Sequence, residues 1–250
     1  MSGYSKWASI KHKKMATDAK RGKAFTKLIR EIMMAAKMGG ANPDSNPRLR
    51  IAIERAKAIN MPNDNIQRAI KKGSGEEGGV TLESVTYEGY GPGGVAIYVE
   101  ALTDNKNRCA AEIRSIFSRH NGNMAGAGSV AWIFERKGQI TLKKDQIGED
   151  ELMTMVLDAG AEDLQSANDH YEITVAPENF EKLKKTLEER GLRLDQAAVT
   201  LIPKNTVHVE GKEAEQLLKL LDQLEECDDV QNVFANFDIA DEVLEAVSRE

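Results

Sequence analysis

TDAKRGKAFTKLIREIMMAAKMGG, residues 17–40, is the stretch on which the reading of the fold turns. Phe25, Leu28, Ile29, Ile32, Met33 and Ala36 recur at i, i+3, i+4 spacing, so residues 17–38 read as one amphipathic helix that Gly39-Gly40 stops. Lys20, Arg21, Lys23, Lys27 and Arg30 fall largely off the apolar stripe. A second helix follows Pro47, with Leu49, Ala52, Ile53, Ala56 and Ile59 inward and Arg48, Arg50, Arg55 and Lys57 outward. Pro62 suits the first position of a third helix, where its fixed φ fits and its missing N–H is not needed. There Ile66, Ala69 and Ile70 face in, and Arg68, Lys71 and Lys72 face water. The glycine-rich residues 73–79 end this helical lobe.

The lobe differs from the rest of the chain in charge. Residues 1–72 hold 17 Lys/Arg against 5 Asp/Glu, a net +12, while the remaining 178 residues carry −18. The overall charge of −6 and pI near 5.5 conceal that dipole. A +12 lobe acts locally on a polyanion whatever the total charge, so the asymmetry points to a nucleic-acid-facing lobe on an acidic body.

Beyond Val80, strands alternate with helices. Residues 85–88 and 95–102 read as strands joined by the turn Gly89-Tyr90-Gly91-Pro92-Gly93-Gly94, followed by a helix over 106–120, a loop over 121–128 and a strand over 130–134. A βαββαβ unit follows: a strand at 139–142, a helix at 149–159, strands near 163–167 and 171–175, a helix at 178–190 and a strand at 199–202. Residues 207–209, 212–226 and 230–237 then supply the strand, helix and strand that the 80–136 segment lacks. The expected fold is α+β with three domains: a helical bundle over 1–79 and two α+β domains of ferredoxin-like βαβ type, one discontinuous over 80–136 plus 204–250 and the other, over 137–203, inserted in it.

At 250 residues with 41% apolar and 30% charged content, the composition is that of a soluble globular protein. The apolar runs are too short to span a bilayer, and the start lacks a secretory h-region, so the expected location is the cytoplasm and no membrane partner is expected. Cys109 and Cys227 are the only cysteines and read as reduced, buried thiols, while the four histidines share no ligand spacing with them; neither a zinc site nor a cofactor is expected.

Gly89, Gly91 and Gly94 satisfy G-x-G-x-x-G, but Pro92 interrupts the motif and a strand rather than a phosphate-capping helix follows, which makes it a hairpin. The 121–128 loop lacks the Lys-Ser/Thr of a P-loop; it reads equally as a contact loop or as a plain connection. No Ser, Cys or Thr lies in a nucleophile motif. An enzyme using the two glycine loops is therefore the remotest reading, and no small-molecule substrate is expected. The tail, with 13 acidic residues against 3 basic ones over 205–250, is a solvated surface, a phosphate-repelling face or a dock for a basic partner.

The expected phosphate contacts are Lys6, Lys11, Lys13, Lys14, Lys20, Arg21, Lys23, Lys27 and Arg30, with Arg48, Arg50, Arg55, Arg68, Lys71 and Lys72 as a second tier. Trp7, set among lysines, is either a stacking platform or a plug in the helical core.

These residues carry a resemblance. Ser5-Lys6-Trp7, Ile10-Lys11-His12-Lys13, the run Asp18 to Lys23, Phe25 to Ile32, Asn46 to Arg50, Asn60-Met61-Pro62, Asp64-Asn65-Ile66, Tyr87 to Pro92 and Asn105 to Arg108 closely resemble the YebC family, which includes the mitochondrial translational activator of cytochrome c oxidase subunit I. Tyr4 and the 121–128 loop depart from the usual wording. The resemblance implies a helical N-terminal domain, two α+β domains and a role in gene expression. Bacterial members are described as DNA-binding transcriptional regulators; the mitochondrial relative and some bacterial ones act in translation at the ribosome. The expected partner is accordingly DNA, with ribosomal RNA as the alternative. The pattern shows no helix-turn-helix dimer with spaced half-sites, which leans toward recognition of shape and backbone.

Overall fold

The computed structural model describes residues 18–76, 81–166, 169–240 and 242–244, with side chains from Gly22 onward. Helix α1 (Asp18–Gly39) packs against α2 (Pro47–Ala58) and α3 (Asn63–Ser74). Ile32, Met33 and Ala36 meet Leu49, Ala52 and Ala56 of α2 and Ile66, Ala69 and Ile70 of α3 in one core, which Leu82 and Leu102 of the next domain complete. Buried Asn46 ties the first two helices together. Its Oδ1 accepts the Leu49 N–H at 3.1 Å as the cap of α2, and its Nδ2 donates to the Ala35 and Gly40 carbonyls at 2.8 and 2.9 Å. Pro62 sits one position earlier than expected: it precedes α3, and its carbonyl accepts the Asn65 and Ile66 N–H groups. Gly73 lies within α3 rather than beyond it, at a crossing where an added Cβ would drive into the Met33 backbone of α1.

The next sheet is centred on the hairpin of β1 (Glu83–Tyr90) and β2 (Ala96–Thr103). Helix α4 (Lys106–Arg119) and the short β3 (Asn123–Ala125) follow. The expected loop over 121–128 thus contains a strand, which pairs with β1. The segment 130–134 is not a strand: Ala131–Ile133 is a 3-10 turn, because the Val130 and Ala131 N–H groups bond to the Glu88 carboxylate instead of to a neighbouring strand.

Then comes the inserted unit, β4 (Phe134–Lys143), α5 (Glu149–Asp158), β5 (Ala161–Ser166), β6 (His170–Val175), α6 (Phe180–Glu189) and β7 (Leu194–Pro203). Its antiparallel sheet runs β5-β6-β4-β7, the split βαβ order of a ferredoxin-like unit. β4 and β7 are longer than expected and pair from Phe134↔Pro203 to Leu142↔Leu194, a two-strand neck. Its core is Ile140, Leu142, Leu152, Val156, Ile173, Val175, Leu183 and Leu187 with their neighbours.

The chain then returns through β8 (Val207–His208), α7 (Gly211–Glu226), β9 (Val230–Ala235) and β10 (Phe237–Asp238). β9 pairs with β2, giving the order β3-β1-β2-β9, and α7 packs beside α4 over Val95, Ile97, Val99 and Val233. The expected strand over 230–237 breaks at Asn236, whose Oδ1 accepts the Ala96 N–H at 2.7 Å, and β10 pairs instead with β8.

Candidate nucleic-acid interface

Helix α7 has no basic residue in its last turn, and its C-terminus carries Glu225 and Glu226. A helix end of that kind attracts cations from elsewhere, since its last carbonyls lack partners and the dipole is negative there. Helix α1 supplies them. Lys23 forms an ion pair with Glu226, and Lys27 Nζ donates to the Glu225 carbonyl at 2.8 Å. Arg30 reaches past them, donating to the Leu102 and Asp228 carbonyls at 3.0 Å each and pairing with Asp229.

The Asp229 side chain is 4% exposed, and it also accepts from Arg108 at 3.0 Å and Thr103 at 2.9 Å. Burial pushes its pKa up, but the hydrogen bonds from Arg30, Arg108 and Thr103 outweigh burial and hold it below the ordinary aspartate value. Lys23, Lys27 and Arg30, expected among the main phosphate contacts, are therefore engaged by the acidic tail. Lys37, on the same helix, donates to the Leu82 carbonyl.

The open cations lie on the other two helices. Arg50 and Lys57 on α2, seven residues apart, share a face; Arg68, Lys71 and Lys72 on α3 do so at i, i+3, i+4. All five are exposed and form no ion pair among the described residues. Arg55 is bonded to Glu31 at 3.2 Å, and Arg48 lies 3.3 Å from Met38 Sδ. Lys6, Trp7, Lys11, Lys13 and Lys14 lie outside the described residues, as do the side chains of Lys20 and Arg21.

A second feature was not read from the sequence. Glu88, buried in β1, accepts the N–H groups of Gly128 and Val130 at 2.6 Å and of Ala131 at 2.8 Å. Burial works against its charge, yet these three backbone donors win and lower its pKa. The glycine loop is thereby fixed, and two aromatic side chains close on it: Tyr90 Oη and Trp132 Nε1 both donate to the Ser129 carbonyl, at 3.1 and 3.0 Å. Trp132 is 64% exposed and Tyr90 37%. Reading 130–134 as a strand hid this; the available signal was a tryptophan next to a glycine loop in a chain with only two tryptophans.

Among the described residues no group of three or more His, Cys, Asp or Glu is placed to hold a metal ion. Cys109 and Cys227 are buried, and burial pushes the Cys227 thiol up to about 11, far from a reactive thiolate.

Two domain families match in tandem: the TACO1/YebC protein N-terminal domain over residues 5–76 and the TACO1/YebC second and third domain over residues 82–237. The chain belongs to the TACO1/YebC family. A relative from Dictyoglomus thermophilum is 58% identical over 249 residues, 99% of this chain and 100% of its own length, and one from Thermotoga maritima is 56% identical over 248 residues, 99% and 98%. Both are named probable transcriptional regulatory protein. A solved structure of a conserved hypothetical protein from Aquifex aeolicus superposes with a TM-score of 0.79 at 49% identity, covering 91% of this chain and 94% of that one. The first match of this YebC-family protein ends just beyond α3 and the second begins at Leu82, so both the open cations and the contacts that engage α1 fall within matched segments.

Proposed function

We propose that this YebC-family protein is a nucleic-acid-binding regulator of gene expression, not an enzyme, that works in the cytoplasm and grips phosphate backbone through α2 and α3. One observation carries this reading: Arg50, Lys57, Arg68, Lys71 and Lys72 stay exposed and unneutralised among the described residues, while the cations of α1 facing the acidic tail are bonded internally. Exposed Lys and Arg on adjacent helices supply affinity for a polyanion without sequence preference. The names of the relatives favour transcription as the setting, and transcription would make DNA the nucleic acid bound. A second reading, RNA bound during translation, is favoured by the exposed Tyr90 and Trp132, since aromatic faces suit unpaired bases better than stacked duplex ones. Among the described residues, no helix of this chain is long and apolar enough to cross a membrane.

The test is binding of the full chain to duplex DNA and to ribosomal RNA fragments across a salt series, with co-sedimentation on ribosomal particles. About six phosphate contacts give a slope of log K on log salt near −5 on duplex DNA. The combined Arg68→Glu, Lys71→Glu and Lys72→Glu variant is expected to lose most affinity and flatten that slope. Wild-type affinity in this variant would overturn the reading.

A further inference from the structure

We infer that the Tyr90–Trp132 pair on the Glu88-anchored loop is a second nucleic-acid site, one that stacks on unpaired bases; this rests on the nucleic-acid reading above. Four observations carry it. Both aromatic side chains spend their polar donors on the same Ser129 carbonyl, so each is tethered at its polar edge while part of the side chain stays open to solvent. Nothing lies within 4 Å of a Cβ built at Gly126 or Gly128, so a flat ligand can come close to the loop backbone. Lys204, exposed, donates to the Trp132 carbonyl at 3.0 Å, which places an ammonium at the backbone of the loop for a flanking phosphate. Among the described residues the other large apolar side chains left exposed are Met38 and Ile51 in the helical lobe and Leu157 in the inserted unit, so the pair is not part of a larger exposed apolar patch there. A protein partner would want a contiguous apolar centre; a base needs only a π face.

The position is specific. The helical lobe meets the middle sheet at Leu82 and Leu102, whereas Tyr90 ends β1 at the opposite edge, about 25 Å away for eight strand residues. A nucleic acid with a duplex segment and an adjoining single strand offers phosphates to the helical lobe and unpaired bases to the aromatic pair.

The experiment compares the full chain on a blunt 12-base-pair duplex and on the same duplex with a six-nucleotide 3′ overhang, made as DNA and as RNA. Stacking on aromatic side chains is worth enough to expect the overhang to bind roughly tenfold tighter. Trp132→Ala is expected to abolish that preference while leaving blunt-duplex affinity and its salt slope unchanged, and Trp132→Phe to keep most of it. Trp132→Leu keeps an apolar side chain without a π face and must behave as Trp132→Ala does, with an unchanged melting temperature in both guarding against a folding defect. An overhang preference absent from the wild type, or intact in Trp132→Ala and Trp132→Leu, overturns the inference and leaves the pair to a protein partner. The DNA and RNA arms identify which strand the site takes. The Arg68/Lys71/Lys72 reversal should weaken both substrates equally and keep their ratio; if it weakens neither, the backbone grip fails while the stacking site still stands or falls on Trp132.

Discussion

Asp229 and Glu88 are buried carboxylates that remain charged because of what surrounds them. Asp229 faces two guanidinium groups and a hydroxyl, and Glu88 faces three backbone amides. Each has a folded pKa below its ordinary value. Unfolded, they titrate near 3.9 and 4.3, so their contribution is complete above those values and fades as the pH falls through the lower folded ones. Acid unfolding below about pH 4 should therefore lean on both. Asp229→Asn is expected to destabilise the protein by about 2–3 kcal/mol at neutral pH, as charge-assisted hydrogen bonds weaken, and to flatten the acid limb of a denaturation series. Glu88→Gln sets an NH2 group against backbone N–H groups. The amides of Gly128, Val130 and Ala131 should then exchange with solvent faster, a change read by hydrogen-exchange mass spectrometry. Neither role was legible in the sequence, where a carboxylate looks like any other solvated charge.

Helix α1 shows how an element can be read correctly and its surface still mistaken. Its apolar period fixed the helix and the inward Ile32, Met33 and Ala36. The same periodicity says only that Lys23, Lys27 and Arg30 point away from that core; it is silent on the end of α7 that receives them. The cations of α2 and α3 were placed outward and are exposed, because nothing among the described residues of the body reaches them. Gly73 was read as a terminator, yet it works as a spacer where α1 and α3 cross. Gly73→Ala would normally favour a helix; here the overpacking should instead cost about 1–3 kcal/mol, measurable as a lowered melting temperature. A leucine or alanine at the exposed Lys71 should leave stability within about 0.5 kcal/mol, so the two positions separate packing from binding.

At the scale of the whole molecule, the pattern of strands and helices pointed to a tail that joins elements from before residue 136, because the 80–136 segment held too few of them for a covered sheet; β9 pairs with β2. It did not reveal that the inserted unit hangs from a two-strand neck, since β4 and β7 read as short strands away from their paired ends. With its own sheet and core, a fragment spanning 134–203 should fold alone and unfold cooperatively by circular dichroism. Removing everything after residue 203 should instead leave α4 and β2 without α7 and β9, and so without a stable middle domain. These two deletions also test the proposed partition of the chain. The pairing of β2 with β9 has a further consequence during synthesis. β2 leaves the ribosome more than 120 residues before its partner exists. At about 5–20 residues per second, Val99 and its neighbours on that strand wait on the order of ten seconds with one edge unpaired. The inserted unit can close first. The nascent chain must pass through that interval with an open β-edge, which makes β9, the last strand of its sheet to be translated, the one that ends its exposure to aggregation and chaperone capture.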